Sequence, residues 1–171
     1  MLTSTSQTIG PYWHLLLDES WTDLTRFGAA GDIITLSGHV YDGAGAPITD
    51  ACVEIWQPSP EASENFNGFG RSQTDATGKY SFKTLKPGPV PGPGNSQQAP
   101  HIAVTILARG LLIHLQTRFY FAGAPENDLD PILNLVEESR RPTLIAQPTG
   151  AGSWTLDFHL QGPQETVFFN I

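Results

Sequence analysis

Cysteine is almost missing from this chain of 171 residues: Cys52 stands alone, so neither an internal disulfide nor a cysteine-based zinc site is available. That fits a reducing compartment, and a cytoplasmic location is expected. Charge is scarce too, at 15% of residues, and its balance is acidic, with nine Lys and Arg against 17 Asp and Glu for a net charge of −8. A broad basic face for nucleic acid or anionic lipid is therefore not expected, and an anionic ligand would need locally placed arginines. No run of 18 apolar residues occurs, and the start MLTSTSQTIGPYWHLLLDES lacks the basic leader, apolar centre and small-residue cleavage site of an export signal. Neither export nor a membrane span is expected. There is no Gly-x-Ser-x-Gly nucleophile turn, no Gly-x-Gly-x-x-Gly and no phosphate loop. The five histidines, His14, His39, His101, His114 and His159, form no His-x-His or His-Glu-x-x-His pair. Asp157-x-His159 lies in an alternating stretch and reads as a solvated strand face rather than part of a catalytic triad.

What the chain does have is enough apolar material for one core, 39% of residues, and many turn formers, 17 Gly and 14 Pro. One domain over residues 1–171 is expected. The dominant periodicity is alternation. From Leu111 to Phe121 the residues Leu111, Ile113, Leu115, Thr117, Phe119 and Phe121 share one face, while Leu112, His114, Gln116, Arg118 and Tyr120 share the other. Similar short runs cover Ile33–Tyr41, Ala51–Gln57, Lys79–Leu85, Ile102–Ala108, Trp154–Leu160 and Thr166–Phe169. Turn signals such as Asp42-Gly43, Thr77-Gly78 and Ala108-Arg109-Gly110 separate them. The predicted fold is all-β, a mixed-topology β-sandwich of about eight strands with long loops.

Helix is sparse. Asp130–Arg140 is predicted to form one short helix, with Asp130 as N-cap, Pro131 at its first position and Pro142 just beyond its end. In the stretch from Pro87 to Gly94, seven of eight residues are Pro or Gly, which predicts a stiff loop forming a rim. At the N-terminus, Ile9, Pro11, Tyr12, Trp13 and Leu15 are costly to leave in water, and Pro11 disfavours helix in the preceding residue. Residues 1–15 are therefore predicted to be an extended arm lying against a partner chain, or folded back on its own sandwich.

Two longer stretches carry more than turn chemistry. Gly38 to Gln57 runs strand, Gly/Pro turn, strand, ending Glu54-Ile55-Trp56-Gln57; Asp75 to Gly88 leads through the stiff loop to Ala99-Pro100-His101-Ile102. Ser6-Gln7-Thr8-Ile9-Gly10-Pro11-Tyr12 precedes them. Phe69-Gly70-Arg71, Ala108-Arg109-Gly110, Thr117-Arg118-Phe119-Tyr120-Phe121 and Glu165-Thr166-Val167-Phe168-Phe169 complete the series. In this order they resemble the intradiol ring-cleaving dioxygenases over nearly the whole chain. The resemblance implies a β-sandwich and an oxidoreductase activity in which a non-haem Fe(III), held by two tyrosines and two histidines, splits catechols between their hydroxyl-bearing carbons with O2. Glycine, aspartate and valine spacings in the first stretch also occur in transthyretin-like β-sandwiches, which leaves a non-enzymatic interaction module as the alternative.

Against the family pattern, ligands are missing. No tyrosine lies between Asp42 and Lys79, Val90 stands at the second tyrosine position, and His101-Ile102-Ala103 keeps only the first of the two histidines. Gln98 replaces the arginine that precedes that histidine by three residues. One imidazole of four donors does not hold ferric iron, a hard ion that needs phenolate charge as well as nitrogen donors. The resemblance thus implies a subunit with no catalytic residue or metal of its own, paired with an iron-bearing beta chain in a higher-order (alpha-beta)n oligomer. It further implies that Thr8, Gly10, Pro11 and Tyr12 line the shared cleft for an aromatic acid and O2, with Arg109 near the acid's carboxylate.

Overall fold

The structure is a computed structural model that describes residues 5–170. Residues 1–4 of the predicted arm lie outside it. Eleven strands follow in chain order: β1 (Ile33–Tyr41), β2 (Cys52–Trp56), β3 (Phe69–Gln73), β4 (Lys79–Leu85), β5 (Val90–Pro91), β6 (Gln97–Gln98), β7 (His101–Leu107), β8 (Leu115–Phe121), β9 (Ile145–Gly150), β10 (Ser153–Thr155) and β11 (Phe158–His159). Nine of them form one mixed sheet in the order β11-β1-β10-β9-β8-β7-β2-β3, with β4 antiparallel to β1; β5 and β6 form a separate hairpin in the Pro/Gly-rich rim. Three pairings are parallel, β1 with β10, β1 with β11 and β8 with β9, which agrees with the mixed topology.

Alternation places the core. Ile34, Leu36 and Val40 of β1, Tyr80 and Phe82 of β4, Val53 and Ile55 of β2, Ile102, Val104 and Ile106 of β7, and Phe119 and Phe121 of β8 are buried in a single cluster. Both halves of the sheet thus turn one face to the same interior, while the opposite face of β7 and β8 presents His101, Ala103, Arg118 and Tyr120. Cys52 is buried as well, and loss of water pushes its thiol up to about 12, so it is an inert core residue.

Several expectations are corrected, beginning with the arm, expected to be extended through residue 15, which instead forms a 3-10 turn at Trp13–Leu16. The predicted helix at 130–140 is not one α-helix but two 3-10 segments, Leu133–Leu135 and Glu138–Leu144, with Pro142 inside the second rather than beyond it. The Asp130 cap itself is real: its carboxylate accepts from the backbone N–H groups of Ile132 and Leu133. The run Leu111–Phe121 enters the sheet only at Leu115, and Ile113, expected to face inward, is 65% exposed. The run Trp154–Leu160 is broken in two. Its break lies opposite Gly38, where the Leu156 carbonyl turns inward and accepts from the Tyr80 hydroxyl at 2.6 Å. The Asp157 carboxylate then takes over from a backbone carbonyl and accepts from the His39 N–H at 2.7 Å.

Strands β3 and β9 escaped the periodicity reading. β9 uses its first residues against β8 and its later ones against β10, so it joins the two halves of the sheet and has no single alternating face. Thr166–Phe169, expected as a strand, makes only one bridge, Phe169 to Gln116; side-chain hydroxyls of Thr117 and Thr143 bond Val167 in place of a ladder.

The inward Leu156 carbonyl makes Gly38 a packing requirement. A Cβ there would sit 1.8 Å from that oxygen and 2.9 Å from the Tyr80 hydroxyl. Gly38→Ala is expected to cost at least about 3 kcal/mol in urea denaturation, the upper range for overpacking a close approach; a loss below 1 kcal/mol would show that this crossing is loose.

Candidate functional site

Two places gather the predicted residues. The first begins with the turn Ala108–Leu111. The Leu111 N–H donates to the Ala108 carbonyl at 3.2 Å, and Gly110 at the third position has φ +87°, a conformation that glycine adopts without strain. The arm closes on this turn. Thr8 Oγ1 donates to the Ala108 carbonyl at 3.1 Å and accepts from the Gly110 N–H at 3.2 Å. Asp50, in the connection from β1 to β2, completes the clasp: its carbonyl accepts from Trp13 Nε1 at 3.3 Å, and its carboxylate pairs with Arg109 Nε.

Thr8 and Arg109, 101 positions apart, therefore belong to one surface. The arm is neither free nor wholly packed away. Thr8 and Trp13 fasten it to its own sandwich, while Pro11 is exposed and Tyr12 and Leu15 are 74% and 69% exposed. Leu112 and Ile113 extend the apolar exposure beyond the turn. Large side chains left in water beside a fastened arm are a surface suited to docking.

The second place is the outer face of β7 and β8, where the resemblance assigns iron ligands. His101 pairs across the ladder with Tyr120, and Ala103 with Arg118. The His101 ring is 7% exposed, its Nδ1 lies 2.8 Å from the Ala99 carbonyl, and it is tilted against Tyr120 with centroids 5.6 Å apart. Because a carbonyl only accepts, Nδ1 carries the proton. Burial holds the imidazole below its ordinary value, more than the bond to Ala99 raises it, so the ring is neutral.

Around it runs a polar chain. Arg118 Nη1 donates to Gln98 Oε1 at 2.7 Å and to the Tyr120 hydroxyl at 3.2 Å, and that hydroxyl donates to Asp130 Oδ1 at 3.1 Å. Burial raises the Tyr120 phenol above its ordinary range, so it remains a hydroxyl. Gln98, at the position of the family arginine, also donates from Nε2 to the Pro91 carbonyl and so ties the rim hairpin to β8. Gln57, at the end of Glu-Ile-Trp-Gln, is a buried strut: its Nε2 donates to the Ser59 and Leu85 carbonyls and its Oε1 accepts from Thr84.

This donor set does not fit a ferric ion. Val90 and Ala103 have no donor atom in their side chains, and His101 supplies one imidazole. Among the described residues no three His, Cys, Asp or Glu side chains gather as a metal cluster. The role of Arg118 and Asp130 as a network was missed from sequence, although the alternation that puts Gln116, Arg118 and Tyr120 on one face was its signal.

A buried neutral histidine has a pH signature. The unfolded chain takes up a proton near pH 6.5 that folded His101 resists, so stability is fully present above that pH and falls as the pH drops below it. Between pH 7 and 5.5 the wild type is expected to lose more stability than His101→Gln in denaturant titrations; equal losses would mean the ring protonates freely.

Comparison with known proteins agrees with this fold. The dioxygenase family model matches residues 10–162. A protocatechuate 3,4-dioxygenase alpha chain from Pseudomonas putida is 40% identical, covering 96% of this chain and 94% of its own. A protocatechuate 3,4-dioxygenase beta chain from Burkholderia cepacia is 33% identical over 68% of this chain and 56% of its own. Among solved structures, the dioxygenase domain of a dioxygenase carbohydrate-binding protein fusion from Streptomyces sp. SirexAA-E superposes with a TM-score of 0.64 at 30% identity, covering 92% of this chain and 97% of that one. Neither the arm nor the Ala108–Leu111 turn is called for by a transthyretin-like module, and with a family match across most of the sheet that alternative falls away. The chain belongs to the intradiol ring-cleavage dioxygenase family.

Proposed function

We propose that this chain is the alpha subunit of a protocatechuate 3,4-dioxygenase and works only with an iron-bearing beta chain, the pair opening protocatechuate with O2 to 3-carboxy-cis,cis-muconate. One observation carries the reading: the family fold and the arm–turn clasp are intact, while the ligand positions hold Val90 and Ala103. A chain that keeps the scaffold and lacks the donors contributes walls and contacts rather than metal chemistry.

In this division of labour the non-haem iron belongs to the partner and supplies the ring-opening chemistry there. The residues of this chain bind, orient and exclude water. Thr8, Gly10, Pro11 and Tyr12 form one wall of the shared cleft, held in place by the two Thr8 hydrogen bonds. Arg109 has its Nε committed to Asp50, which aims the rest of the guanidinium outward, and the substrate carboxylate takes those remaining donors. The exposed Tyr12, Leu15, Leu112 and Ile113 are the apolar contacts covered by the beta chain, and pairs then assemble further as (alpha-beta)n in the cytoplasm.

Expressed alone, the chain is expected to contain no stoichiometric iron and to show no ring cleavage, whereas coexpression with its beta chain yields an active, iron-containing complex; metal analysis of the separated chains reads this directly. Stoichiometric iron in this chain would overturn the proposal. In the assembled complex, Arg109→Ala is expected to raise KM for protocatechuate about tenfold, the loss of one charge-assisted contact, and to leave KM for catechol nearly unchanged. Equal effects on both substrates would make Arg109 a scaffold residue only.

A further inference from the structure

The vacated ligand position leaves a hollow on the outer face of β7 and β8. It has a volume of about 310 Å³ and is lined by Ala103, Gln116, Arg118, Ile132, Leu135 and Phe169 among others. We propose that this hollow is a binding site for a small aromatic carboxylate, separate from the cleft at the arm and independent of pairing with a beta chain.

Three observations support it. First, the space and the cation adjoin. Ala103 and Arg118 are direct partners across the β7–β8 ladder, so a methyl group at 103, where the family has an imidazole, opens room beside the guanidinium. Second, Arg118 is the cation of the hollow and, among the described residues, has no carboxylate within ion-pair distance. Its Nη1 is held by the neutral Gln98 and Tyr120 oxygens, and the remaining N–H groups have no protein acceptor among the described residues. Asp130 does not serve as that acceptor. It is fully buried, and its two oxygens accept from the Ala99, Ile132 and Leu133 N–H groups and from the Tyr120 hydroxyl, which stands between it and Arg118.

Third, the walls suit a flat apolar body. Ile132, Leu135 and Phe169 line the hollow with Arg118, whose Cζ lies 6.0 Å from the Phe169 ring centroid. A carboxylate takes the guanidinium fork in a planar, two-bond geometry, and the apolar side chains that line the same hollow offer contact to an aromatic ring attached to it. The volume lies at the low end of small-molecule sites and admits a single-ring acid. The pre-set orientation of Arg118, pinned from behind by Gln98 and Tyr120, reduces the entropy lost on binding.

The test uses the full chain, benzoate as probe, benzamide as its uncharged isostere and acetate as the carboxylate without a ring. Isothermal titration should show one saturable benzoate site, with benzamide and acetate each at least about tenfold weaker. Leu135 is 81% exposed, so Leu135→Glu leaves folding intact while placing a negative charge at the mouth. It should weaken benzoate at least about tenfold at an unchanged melting temperature. Arg118→Met should abolish binding, and Arg109→Gln should leave it unaltered. The proposal is overturned if benzoate shows no saturable binding at millimolar concentration, if benzamide binds as well, if Leu135→Glu changes nothing, or if binding is lost with Arg109 instead. None of these outcomes alters the iron content or activity of the assembled complex, so failure here leaves the alpha-subunit reading standing.

Discussion

The outer face of this sandwich depends on one buried carboxylate. Asp130 is fully shielded from water and accepts four hydrogen bonds: from the Ala99 N–H at the entry to β7, from Tyr120 on β8, and from Ile132 and Leu133 at the start of the 3-10 segment. A carboxyl group so placed is tolerated because four donors converge on it, three on Oδ1 and one on Oδ2; any lost donor would leave an acceptor less satisfied in a low-dielectric interior. Through those bonds it locates the 3-10 segment over the sheet, orients Tyr120, and thereby fixes the Arg118 guanidinium. The register of His101 against Tyr120 and of Ala103 against Arg118 follows from the same ladder.

The positions of the family's iron donors hold Val90, His101 and Ala103, and beside them the chain has an arginine and a phenol linked to that carboxylate. Gln98 contributes twice, bonding Arg118 with its oxygen and the rim hairpin with its nitrogen. The sandwich interior is built from the opposite side of the same strands. Ile102, Val104 and Ile106 face inward whatever stands at 101 and 103. This separation of faces is what lets one scaffold serve in chains with unlike chemistry.

The clasp at the N-terminus answers a different constraint. Apart from its one 3-10 turn, Trp13–Leu16, the arm has little backbone bonding of its own, and ordering it costs conformational entropy. Thr8 offsets that cost by serving one turn as both donor and acceptor, and Trp13 and Arg109 both bind Asp50, one at its carbonyl and the other at its carboxylate. The result is a surface whose polar contacts are internal and whose apolar side chains face outward, an arrangement fit for a partner chain.

Much of this was legible in the residues alone. Strands β1 and β4 have the bounds their alternation indicates, β2 and β7 differ by a residue or two, and the sandwich class, the arm, the rim and the missing ligands can all be read from the order of motifs. Periodicity determines these because a strand with one buried face must alternate. Tertiary structure alone decided where alternation stops. Leu156 breaks its strand to reach Tyr80 beside Gly38, β9 divides itself between two neighbours, and the 130–144 segment tightens into 3-10 turns around Asp130. It also decided that Thr8 meets Ala108 and Gly110, and that Arg118 lies beside the emptied position 103. Such pairings join residues far apart in the chain, and hydrogen-bond satisfaction across a closed core, unlike local pattern, exists only once the whole sheet has formed.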